Sequence, residues 1–68
     1  MSKYLNQLEL NLIRIENEIT ELEVFKEDGL ITDEDMNFID SEISIMKSLV
    51  LVKKQRIEAL KEYLAVCQ

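Results

Sequence analysis

Sixty-eight residues with one glycine, no proline, no histidine and one cysteine leave few architectures open. A chain this short seldom buries enough apolar surface to stand alone without disulfides, a metal or self-association. The lone Cys67 excludes an internal disulfide scaffold, the missing histidines argue against zinc, and a net charge of −6 argues against nucleic acid as a partner.

The first element is a helix predicted over about residues 3–27. Leu5, Leu8, Leu12, Ile15, Ile19 and Leu22 are spaced 3, 4, 3, 4, 3, the heptad pattern of one apolar stripe. Leu10, Ile13 and Val24 widen that face. Glu9, Glu16, Glu18, Glu21 and Glu23 stand on the wet side.

The turn follows at Gly29, a residue suited to the left-handed position just past a helix. Leu30 is expected to fold back on Phe25, the apolar contact that accompanies such a cap. Thr32 is expected to cap the second helix, with Asp35 as its capping-box partner and Ile31 and Met36 as a hydrophobic staple. Asp33, Glu34 and Asp35 put negative charge in the first turn, where the helix dipole favours it.

The second helix is predicted from about Asp33 to Val66. Its main stripe is Met36, Ile39, Ile43, Met46, Val50, Ile57, Leu60 and Leu64, interrupted by Lys53 and continued by Cys67. Lys53 is expected to snorkel from the bundle edge, the alternative being a polar core residue that sets register and partner choice. A second stripe runs beside it: Phe38, Ile45, Leu49, Val52, Ala59, Tyr63 and Val66. Two stripes exceed what one partner helix covers, so one suits the hairpin seam and the other a second subunit. The second helix is also longer, by roughly 13 Å at the usual rise per residue. Residues 60–68 are therefore expected to overhang, with Leu60, Tyr63, Leu64 and Val66 uncovered and available for association.

Charge is unevenly placed. From Glu9 to Glu42 there are twelve acidic residues against Arg14 and Lys26, and beyond them Lys47, Lys53, Lys54, Arg56 and Lys61 outnumber Glu58 and Glu62. Two hairpins packed antiparallel would set each basic tail beside the other's acidic turn. The expected fold is all-α: one antiparallel hairpin over residues 1–68 that dimerises into a four-helix bundle, with a tetramer or parallel packing as alternatives. The self-association residues are Ile45, Leu49, Val52, Leu60, Tyr63 and Leu64. Asp28, Asp33, Glu34 and Asp35 form an acidic surface for a larger protein with a basic face.

No catalytic, cofactor or metal site is expected. The acids around Gly29 lack the alternating spacing of a calcium loop, and helix capping accounts for them. Glu16, Glu23, Asp40 and Glu42 have no histidine partners for a di-iron centre, and Cys67 has no histidine to activate it. No run of apolar residues is long enough for a membrane span, and no leader pattern opens the chain, so a cytoplasmic protein is expected.

The segment LEVFKEDGLITDEDMNFIDSEI, residues 22–43, resembles the short C-terminal (SHOCT) type of helical hairpin, in which a helix ends in glycine, an isoleucine–threonine pair follows and acids open a second helix. Gly29, Ile31, Thr32, Glu34 and Met36 carry the likeness, which implies an oligomerisation or interaction module. The hairpin also resembles the small sporulation phosphatases that act on response regulators. Their working motif is Ser-Gln-x-Leu-Asp, and the comparable stretch here, Asp40-Ser41-Glu42-Ile43-Ser44, lacks the key aspartate at the matching place. The leading expectation is a small non-enzymatic regulator or inhibitor of the bacterial or phage kind. The alternatives are an auxiliary phosphatase or modulator of a response regulator, and a structural oligomerisation element.

Overall fold

The computed structural model describes residues 2–66. They form two helices, α1 (Lys3–Asp28) and α2 (Asp33–Val66), packed side by side and antiparallel. The rod measures 53 × 16 × 13 Å. With 34 residues, α2 spans about 51 Å and sets that length, whereas α1 covers about 39 Å of it.

Each helix end has a local chemical cause. At the start of α1, Ser2 is extended and its Oγ accepts the Leu5 N–H at 3.1 Å, which satisfies one of the orphan donors of the first turn. At its end Gly29 is left-handed, with φ +72°. Nothing lies within 4 Å of where a Cβ would be, so the demand for glycine comes from the backbone alone. Thr32 caps α2: its Oγ1 accepts the Asp35 N–H at 3.1 Å, and its carbonyl accepts the Met36 N–H at 2.9 Å. The return bond of a capping box, from the Thr32 N–H to the Asp35 carboxylate, does not form among the described residues.

The apolar contact at the turn differs from expectation. Leu30 is 86% exposed and Phe25 is also exposed, so Leu30 does not close over Phe25. Ile31 is the half-buried residue, packed against the Ile19–Ile39–Ile43 cluster. Turning Ile31 inward under the seam rotates its neighbour Leu30 out to solvent.

The seam is the heptad stripe of each helix. Ile19, Ile39 and Ile43 form the core, flanked by Ile15, Leu22, Ile31, Met46 and Val50. Nearer the chain termini Ile57 is buried at 5% exposure. Lys53 occupies a seam position and is half-buried, with no ion pair among the described residues. None of the described side chains is fully enclosed, because a two-helix layer can cover each seam residue from one side only.

The overhang is shorter than the sequence suggests. Leu60 and Leu64 are half-buried, because they stand three and seven residues beyond Ile57 and so face the first turns of α1. Tyr63 and Val66 point away from the seam and are exposed. Cys67 lies outside the described residues.

Candidate functional site

Three surfaces remain once the seam is closed: two flanks along the helix pair and the turn end. On one flank, Lys54 Nζ lies 3.7 Å from Glu16 Oε2 and Lys61 Nζ lies 3.8 Å from Glu9 Oε2. Both steps are seven residues on each helix, so these pairs are successive rungs of one ladder. Glu23 and Lys47 stand at the next rung and form no ion pair among the described residues. Between the first two rungs an open groove of about 410 Å³ is floored by Leu12, Ile13 and Ile57 and bridged by Lys61 and Glu9.

The ladder gives two of the tail lysines partners within their own chain. Lys54 and Lys61 are directed at α1 of their own chain. The periodic signal, Glu9, Glu16, Glu23 against Lys47, Lys54, Lys61, was present in the sequence. Counting charge by segment hid it, because the two sets come together only when the hairpin closes.

The other flank has no charge ladder. An Arg56 guanidinium N–H donates to the Tyr4 hydroxyl at 2.5 Å, and Leu49 and Tyr63 are exposed beside it. Of the six proposed self-association residues, Ile45, Leu49, Val52 and Tyr63 lie exposed on this side of α2, with Phe38 and Val66 continuing the row. Leu60 and Leu64 are separated from them and belong to the seam. The remaining large exposed apolar side chains, among them Leu10, Ile13, Val24 and Leu51, are scattered around the rod.

The turn end gathers negative charge. Residues 21–42 contain nine acids (Glu21, Glu23, Glu27, Asp28, Asp33, Glu34, Asp35, Asp40 and Glu42) against Lys26, a net of −8. The rest of the chain carries +2, with seven basic residues against five acids. Asp28, Asp33, Glu34 and Asp35 are all exposed. Lys26 Nζ pairs with Asp40 Oδ1 at 2.6 Å across the hairpin. The hydrogen bond and charge of Asp40, with a smaller contribution from Glu23, raise the Lys26 pKa against a small opposing desolvation.

Three hydroxyl side chains are engaged within their own helices. The hydroxyls of Thr20, Ser41 and Ser48 donate to the carbonyls of Glu16, Asn37 and Ser44, each four residues back. Among the described residues no group of three or more histidine, cysteine, aspartate or glutamate side chains is placed to hold a metal ion. No helix there is long and apolar enough to cross a membrane. No protein-family model matches this sequence, and no significant match is found among curated proteins or solved structures.

Proposed function

We propose that the chain is a non-enzymatic interaction module: a homodimeric helical bundle that binds and modulates a larger protein. One observation carries the reading. Among the described residues, the isolated hairpin buries only Ile19, Ile39, Ile43 and Ile57 below a tenth exposure, while a row of large apolar side chains on α2 stays bare. A second copy laid on that row would supply the missing burial. A tetramer remains within reach of the same logic only if a further face, such as Leu10 with Ile13, is also used.

The acidic turn end is the surface for the larger partner. With −8 gathered at one pole, long-range attraction favours a basic protein face and disfavours a nucleic-acid backbone. The likeness of residues 22–43 to SHOCT-type hairpins implies the same kind of role.

Sedimentation equilibrium at micromolar concentration tests the assembly. A dimer is expected, and a stably folded monomer overturns the reading. Co-purification from the native host at low and high salt tests the partner. The expected result is a basic protein retained at low salt, released at high salt and lost with Asp28→Asn, Asp33→Asn and Glu34→Gln combined. Recovery of the chain alone counts against it.

A further inference from the structure

We infer that two copies associate through α2 alone, antiparallel, about a two-fold axis between Val50 and Leu51, with Glu42 of each copy paired to Arg56 of the other. The inference rests on the homodimer reading and specifies the surface, direction and register that reading leaves open.

The bare face of α2 is a second heptad seam. From Phe38 to Val66 its positions recur at alternating steps of four and three residues, and only Glu42 and Arg56 among them are charged. Phe38, Ile45, Leu49, Val52, Tyr63 and Val66 supply the exposed apolar surface. The two interruptions have opposite sign, and each lies seven residues from Leu49. A two-fold axis close to Leu49, between Val50 and Leu51, brings each near the level of the other in the second copy. Antiparallel helices thereby set Glu42 near Arg56 of the second copy, whereas parallel helices set Glu42 beside Glu42 and Arg56 beside Arg56.

Length and charge agree with this direction. Antiparallel overlap over residues 35–66 of α2 aligns the two stripes with Leu49 opposite Val52 of the second copy and Phe38 opposite Tyr63. Glu42 then stands three residues in level from Arg56 of the second copy, about 4.5 Å along the axis, a step that an arginine side chain spans. Arg56 already projects along this flank, held by the Tyr4 hydroxyl through one N–H, and a guanidinium has further donors. The same overlap lays each −8 turn end away from the other, beside the far end of the second copy, whereas parallel packing would bring the two −8 poles together.

α1 does not share the interface. The matching row on α1 is polar and exposed along its middle, at Gln7, Asn11, Arg14, Glu18 and Glu21, with the exposed aromatic rings of Tyr4 and Phe25 only towards its ends. The two α2 helices therefore form the centre of the assembly, with the α1 helices flanking. One acidic turn end is left at each extremity, so the assembled rod presents two separated acidic poles.

The test uses the full chain in a Cys67→Ser background. Phe38→Cys and Tyr63→Cys proteins are prepared separately, mixed, and treated with a short bis-maleimide. The expected product is a mixed dimer joining Cys at 38 to Cys at 63, with little product from either protein alone. Self-linkage of each protein, with sedimentation still showing a dimer, overturns the antiparallel geometry and leaves the homodimer reading intact. A monomer by sedimentation overturns both. A second arm needs no new thiol: Glu42→Arg and Arg56→Glu each weaken dimerisation about tenfold or more, because like charges then face each other. The double exchange restores it to within a few-fold. Failure of the double exchange to rescue, with helicity unchanged by circular dichroism, overturns the pairing.

Discussion

Lys61 of α2 lies 3.8 Å from Glu9 of α1, across the flank of the hairpin farthest from the turn. One heptad nearer the turn Lys54 and Glu16 repeat the relationship at 3.7 Å. The basic second half of the chain is thus partly spent on closing its own hairpin in register. What remains unbalanced is the turn end, where nine acids meet one lysine.

The ladder should behave as a register device with modest energy. Glu16→Lys or Lys54→Glu alone should lower the melting temperature, and the double exchange should recover most of the loss. A double-mutant cycle should give a coupling of about 0.2–1 kcal/mol, since both side chains are exposed. Raising salt should shrink it. A coupling indistinguishable from zero at low salt would show that the rung is not formed in solution.

The Lys26–Asp40 pair predicts an alkaline dependence. The folded pKa of Lys26 is raised above the ordinary value of 10.5 by its hydrogen bond to Asp40. The charged form is therefore favoured by folding, and the pair's contribution is fully present below pH 10.5 and lost as pH rises through the folded value. Lys26→Met should melt lower than the unsubstituted chain at neutral pH, and the two curves should converge in strong alkali. A gap that persists unchanged there would assign the effect to lost packing of the lysine stem instead.

Gly29→Ala should cost about 1–2 kcal/mol, the penalty for a side chain in the left-handed region. The space around the missing Cβ is empty, so larger residues should cost little more than alanine. Gly29→Asn should cost less, because asparagine tolerates this conformation. Chemical denaturation at fixed protein concentration measures all three, and equal stability of alanine and glycine would contradict the cap.

Ile43 and Ile45 differ by two positions and should separate folding from assembly. Ile43 is 7% exposed in the seam, and Ile43→Ala should cost about 2–5 kcal/mol, enough to unfold so small a domain. Ile45 is 69% exposed on the outer row, and Ile45→Ser should keep the helices formed at high concentration while weakening the dimer. Circular dichroism and sedimentation read the two effects independently. Equal loss of helicity in both variants would remove the distinction between seam and outer row.

Much of this fold is written in local chemistry. The limits of both helices, the left-handed Gly29, the Thr32 cap and the seam from Leu5 to Leu22 all follow from spacing and side-chain type, because helix ends and amphipathic stripes depend on residues within a few positions of each other. The same locality shows that α2 carries two stripes, and it leaves open which one α1 covers at each level. Tertiary structure decided that Leu60 and Leu64 belong to the seam while Tyr63 and Val66 stay bare, and that Ile31 turns inward while Leu30 faces water. It also decided that Lys54 and Lys61 answer Glu16 and Glu9 of their own chain. These outcomes depend on the register between two helices that are distant in sequence, and that register is set by how the whole seam packs once the turn has brought them together.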